Sequence, residues 1–127
     1  MTQEEKDLLL KDLSGRLPYG VKVKFNNINI LRLGTHTRVG EYVTDVIEPC
    51  KPYLFPLSNM TEEQKKEFSL IACDLNDSDY WRDGNMIYVD DKYQLNDIID
   101  FYHKNHFDYR GLINKGLAID ASNKNIY

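Results

Sequence analysis

Residues 20–33 read GVKVKFNNINILRL. Val21, Val23 and Phe25 alternate with Lys22 and Lys24, which is the period-two pattern of a strand with one buried and one wet face. Asn26-Asn27 then interrupts the run, and asparagine tolerates the positive φ values that a two-residue hairpin demands. INILRL is therefore expected to return antiparallel to GVKVKF. Gly34 to Gly40 reads as a second turn, and EYVTDVIE, rich in β-branched residues, as a third strand. The simplest topology is an antiparallel meander.

Outward from this hairpin the period changes to that of a helix. Before it, Thr2 and Glu5 have the spacing of a capping box, Leu9, Leu10, Leu13 and Leu17 follow at helical intervals, and Ser14-Gly15 with Pro18 supplies a stop. After it, Pro49, Pro52 and Pro56 fall within eight residues. Proline suits neither a helix interior nor a central strand, so KPYLFPLSNM reads as an extended connection packing Tyr53, Leu54, Phe55 and Leu57. Thr61 and Gln64 repeat the capping-box spacing and open a helix through TEEQKKEFSLIA, with Phe68, Ile71 and Ala72 inward. DLNDSDYWRDGN reads as a loop and MIYVD as a short strand. Asp91 is placed to cap a helix whose Leu95, Ile98, Ile99 and Tyr102 fall at i, i+3, i+4 and i+7. A last short helix is expected from Asp108 through GLINKGLA, with ASNKNIY loosely held beyond it. The pattern predicts an α+β fold, a small antiparallel β-meander packed with N-terminal, middle and C-terminal helices, in a single domain over residues 1–127.

The chain has 127 residues, 42% of them hydrophobic and 28% charged, the profile of an ordinary globular domain. No apolar run approaches the length needed to span a bilayer, and MTQEEKDLLLKDL carries acids where a signal peptide needs a basic region, so a cytoplasmic protein without membrane contact is expected. Two cysteines, Cys50 and Cys73, make no disulfide framework. Reduced thiols are expected, although a Cys50–Cys73 bridge is compatible with the sequence. The net charge of −4 hides a segregation. Residues 14–40 hold Arg16, Lys22, Lys24, Arg32 and Arg38 without an acid, whereas residues 74–100 hold eight Asp against Arg82 and Lys92.

Four sets of residues carry chemistry. In FYHKNHFDYRGLI, residues 101–113, His103 and His106 stand three apart with Asp108 two further on. Imidazoles at i, i+3 with a carboxylate can ligate zinc or iron, but the stronger helical signature spaces its histidines by four around a Glu and adds a third ligand. The plainer reading is a helix end and a cap, with no metal and no cofactor. Asp74, Asn76 and Ser78 have the 1, 3, 5 spacing of a calcium loop, yet Asp79 and Asn85 stand where Gly and Glu are needed. Lys22 and Lys24 project together from one strand face, and Arg32 or Arg38 can extend them into a phosphate-binding patch, which is the basis of a nucleic-acid-binding alternative. No aromatic residue is interleaved there to stack on bases.

The fourth set is aromatic. Nine Tyr, five Phe and one Trp exceed what the regular elements use, and Tyr53, Phe55, Tyr80, Trp81, Phe107 and Tyr109 lie in irregular segments. Of these, Tyr53, Phe55, Trp81 and Tyr109 are the expected contact residues for a protein partner or a second copy of the chain. Glycine-rich phosphate loops, the G-x-S-x-G elbow and C-x-x-C are absent. No spacing joins Cys50 or Cys73 to a histidine as a nucleophile pair.

The segments YGVKVKF, KPYLFPLSNMTEEQKKEF and HFDYRGLINKGLA together resemble a group of small uncharacterised proteins of Bacteroides-type gut bacteria and their phages or mobile elements. The resemblance spans most of the chain and brings no catalytic residues. It implies a cytoplasmic, phage-related accessory protein. A non-enzymatic interaction protein is thus the leading expectation, nucleic-acid binding the second and a metal-dependent hydrolase the third.

Overall fold

The structure is a computed structural model that describes residues 2–43, 50–72, 80–83, 86–89 and 92–127; for 72, 80–83, 86–89 and 92–95 the description is of the backbone. Helices α1 (Gln3–Arg16), α2 (Glu62–Ala72) and α3 (Lys92–Lys104) accompany a five-stranded mixed sheet of β1 (Lys22–Phe25), β2 (Ile28–Arg32), β3 (Lys51–Pro56), β6 (Phe107–Asp108) and β7 (Ile119–Asp120). A separate two-stranded ribbon pairs β4 (Tyr80–Asp83) with β5 (Met86–Val89). The fold is α+β.

Both capping boxes form. Thr2 Oγ1 accepts the Glu5 N–H while the Glu5 carboxylate accepts the Thr2 N–H, and Thr61 and Gln64 exchange the same pair of bonds at the start of α2. Each satisfies amide groups that the first turn of a helix leaves without a partner. The hairpin also forms: Lys22 pairs with Arg32 and Val23 with Leu31, and a register shift near Phe25, beside Asn26 at φ 52°, brings Phe25 opposite Ile28.

The third strand differs from expectation. Residues 41–43 close a 3-10 turn, residues 44–49 lie outside the described part of the chain, and the strand beside β1 is the proline-rich KPYLFP. Its register sets Val23 opposite Pro52 and Lys24 opposite Lys51. Prolines fit here because alternate residues of a strand direct their N–H groups to opposite sides. Phe55 directs its N–H to His106 O, and Lys51 and Tyr53 share its parity. Pro52 and Pro56 share the parity of Leu54, whose carbonyl accepts from Ala121 N, so their missing donors fall on the side where β7 pairs only with Tyr53 and Leu54. β6 and β7 run parallel to β3, which extends the antiparallel meander into a mixed sheet.

The stretch after α3 is not a helix. Asp108 does act as a cap, its two oxygens accepting the N–H groups of Leu112 and Ile113, but the bonds close a turn. Gly111 and Gly116 both adopt the left-handed conformation, with φ near 74° and 73°, and the chain returns through β7. Residues 80–83 form a strand instead of a loop. The expected Asp91 cap and the calcium-type residues Asp74, Asn76, Ser78, Asp79 and Asn85 lie outside the described residues.

Packing divides into three apolar clusters. Leu9 and Leu13 of α1 meet Val21, Val23, Leu33, Val39 and Cys50; Phe68 of α2 meets Ile98, Phe101, Tyr102 and Phe107; Leu54 of β3 meets Leu112, Leu117 and Ala118. Phe55 of β3 packs against the second cluster and Leu54 belongs to the third, so β3 contributes to both. No helix among the described residues is long and apolar enough to cross a membrane.

Candidate functional site

Two arrangements gather the polar side chains. The first is buried between α1, α3 and β6. On α1, Asp12 and Arg16 are wholly inaccessible to solvent and pair through Arg16 Nε and Asp12 Oδ2 at 2.8 Å. The other Asp12 oxygen accepts Arg110 Nε at 3.1 Å, and Arg16 Nη2 donates to the Phe107 carbonyl at 2.6 Å. A carboxylate taken from water this completely is stable only when its lone pairs are met by charged donors, and two guanidinium groups supply them.

His103 completes the network. Arg110 Nη2 donates to Tyr109 Oη at 2.8 Å, and Tyr109 Oη lies 2.8 Å from His103 Nε2. The imidazole also lies against Gly15, with Nδ1 3.3 Å from where a Cβ there would stand. An arginine can only donate, so the phenol accepts from it and donates its own hydrogen to Nε2, which leaves the neutral ring's hydrogen on Nδ1. Burial, with the Arg16 charge adding to it, pushes the His103 pKa down to about 4, and burial raises that of Tyr109. Near neutral pH both are uncharged and held by one another. Gly15 is required by this approach, since a Cβ there would stand 2.6 Å from His103 Cε1.

The proposed metal ligands do not converge. His103 is committed to Tyr109, both Asp108 oxygens to backbone amides, and His106, past the helix end at φ 60°, lays its ring on Tyr127. No group of three metal-ligating side chains occurs among the described residues. Cys50 is a buried free thiol whose pKa is pushed up to about 12 by burial, the opposite of a nucleophile's environment.

The second arrangement is the outer face of the sheet. Side chains two apart on a strand share a face, and cross-strand partners stand side by side. Lys22 and Lys24 of β1 therefore share a face with Arg32, opposite Lys22, and with Lys51, opposite Lys24. Lys24 and Arg32 are exposed and Lys51 half-buried, and none of these three side chains makes an ion pair or hydrogen bond among the described residues. Arg38 stands apart in a loop, 3.9 Å from Glu41, with both side chains largely in water, where such a pair contributes little.

Aromatic residues lie on this same face, contrary to the expectation that none would. Tyr53 and Phe55 are two and four residues on from Lys51, and the Tyr127 ring is 5.9 Å from that of Phe55 and stacked on His106 at 3.6 Å. The expected docking aromatics are thus placed differently. Tyr53 is 6% exposed and donates to the Asn29 carbonyl at 2.5 Å, Phe55 is half-buried against the α2–α3 cluster, and Tyr109 belongs to the buried network. They are packing residues, not a free surface, because β3 lies inside the sheet and not in a surface connection. The side chain of Trp81 lies outside the described residues.

Sequence reading missed Asp12, Arg16, Lys51 and Tyr127. Asp12 and Arg16 continue the Leu9, Leu13 stripe at helical spacing, which was the available signal. Lys51 was hidden by the assignment of its segment to a connection. No family model matches the chain, and no curated protein or solved structure matches it. Nothing in these comparisons bears on the resemblance to Bacteroides-type proteins.

Proposed function

We propose that the chain is a binding protein whose outer sheet face takes the phosphate backbone of a nucleic acid. The observation that carries this reading is the register of β1 against β2 and β3, which sets Lys22, Lys24, Arg32 and Lys51 side by side, the last three without a side-chain partner among the described residues. Uncompensated cations on one rigid face raise the local concentration of polyanions even when the net charge is negative. The strongest constellation of titratable groups is locked in mutual hydrogen bonds, which supports a binding role over catalysis. Gel shifts with single-stranded and duplex oligonucleotides at about 50 and about 200 mM salt test the proposal, with retardation expected at low salt and its loss at the higher. Absence of retardation at low salt removes it.

A second reading, self-association, is favoured by β2. Among the described residues this strand is the edge of the sheet, and Ile28 and Ile30 on it are 46% and 49% exposed. An open edge carrying apolar side chains is suited to antiparallel pairing with a second copy. Light scattering across a concentration series distinguishes a dimer from a strict monomer. The phage-related, cytoplasmic setting implied by the resemblance is compatible with either reading.

A further inference from the structure

β1 pairs with residues 51 and 52 of β3, and β6 with residues 55 and 56, which leaves Tyr53 between them. Tyr127 fills that gap. Its hydroxyl accepts the Lys22 N–H at 2.8 Å and donates to the Tyr53 carbonyl at 2.9 Å, so a phenol takes the place of a rung of the ladder. Its ring lies parallel to His106, 10° from coplanar, with Phe55 tilted against it and Lys22 Nζ 5.5 Å from its centre. Lys22 Nζ also donates to the Ile126 carbonyl at 2.7 Å. His106 presents its ring there at a positive φ of 60°, an uncommon conformation for a non-glycine residue.

The vacated gap would have a definite chemistry. It is a flat slot with an imidazole for a wall, one backbone donor and one backbone acceptor at its inner rim, and a lysine at its mouth. Beyond that lysine lie Arg32, Lys24 and Lys51. A phenol satisfies the rim with a single atom that both accepts and donates. A nucleobase meets the same demands with neighbouring atoms, since its edge carries adjacent donors and acceptors and its face stacks on aromatic rings. The phosphate that follows a base would then fall to the lysine row.

We infer that the slot between Lys22, Tyr53 and His106 is a nucleobase site, that Tyr127 is its occupant from within the chain, and that single strands bind the basic face by displacing residues 122–127, which follow the buried Ala121. This rests on the nucleic-acid reading of that face and adds to it a base pocket and an internal competitor. The contacts of Tyr127 are local to the slot, whereas Lys24 and Lys51 do not touch it, so the two ideas separate experimentally.

The probe is a short oligothymidylate carrying one 2-aminopurine, followed by anisotropy for affinity and by quenching of the 2-aminopurine for stacking. Y127A empties the slot, Y127F keeps the ring but removes the hydroxyl rung, H106A removes the wall, and K24E opposes the phosphates. Y127A is expected to bind at least about fivefold more tightly than the wild type, given what one stacking contact contributes, with Y127F between the two. Quenching should deepen in Y127A and vanish in Y127A/H106A. Equal or weaker binding by both Y127A and Y127F, without deeper quenching, overturns the slot even if K24E still abolishes binding. Capture of tryptophan amide by Y127A in preference to the oligonucleotide overturns it also, by assigning the slot to an aromatic side chain. Loss of the K24E effect would instead count against the face itself. Should Y127A lack a cooperative thermal transition, the gain or absence of gain in Y127F decides.

Discussion

The Asp12 carboxylate meets Arg16 through one oxygen and Arg110 through the other, with no exposure to water. Removing it in D12A leaves the Arg16 guanidinium buried without a counter-charge, and a loss of about 3–5 kcal/mol is expected from denaturant unfolding. Gly15 tests the same junction sterically. Alanine is favoured over glycine inside a helix by about 1 kcal/mol, yet G15A sets a methyl 2.6 Å from His103 Cε1. A net loss of about 1–3 kcal/mol is expected, relieved in the G15A/H103A double variant. The two histidines also give stability a pH dependence. Burial lowers both to about 4 from the ordinary 6.5, so between these values the unfolded chain binds more protons than the folded one. The stabilisation is complete above about 6.5 and is lost as pH falls toward 4. Thermal melts should show this fall, and H103Q should flatten part of it; an unchanged profile in that variant contradicts the neutral, buried assignment.

At the scale of elements, the sequence was legible where local chemistry decides and misleading where tertiary pairing does. Both capping boxes were visible as Thr-x-x-Glu and Thr-x-x-Gln, and T2A and T61A should each cost about 1 kcal/mol, measurable as lower denaturation midpoints. The β1–β2 hairpin was visible from its alternation and from Asn26. β3 was not, because prolines argue against a central strand unless one knows that the missing donors of Pro52 and Pro56 fall outside the two residues that β7 pairs. The expected helix after Asp108 failed for a local reason that was also readable: Gly111 and Gly116 turn left-handed, and the Asp108 cap closes a turn. The ribbon of β4 and β5 was legible only in part: Gly84-Asn85 between two β-prone runs is itself a hairpin signal, but DLNDSDYWRDGN as a whole reads as an acidic loop.

For the whole molecule, the basic residues were named from charge alone, but their assembly depended on a strand that was not recognised. Lys22, Lys24 and Arg32 were legible; Lys51, Tyr53 and Tyr127 joined them only once β3 lay beside β1. The His103, His106 and Asp108 set, the densest in the sequence, disperses in three dimensions because one residue each is claimed by α1, by Tyr127 and by a turn. The central claim is that the lysine row engages phosphates. The measurement that tests it most directly is the salt dependence of single-strand binding by the wild type and by K24E/K51E, both of whose substituted side chains lie outside the buried clusters. Four phosphate contacts predict a slope of log affinity on log salt of about −3 for the wild type, shallower by at least about 1.4 in the variant. Binding that is indifferent to salt, or a variant with the slope and affinity of the wild type, would contradict the account.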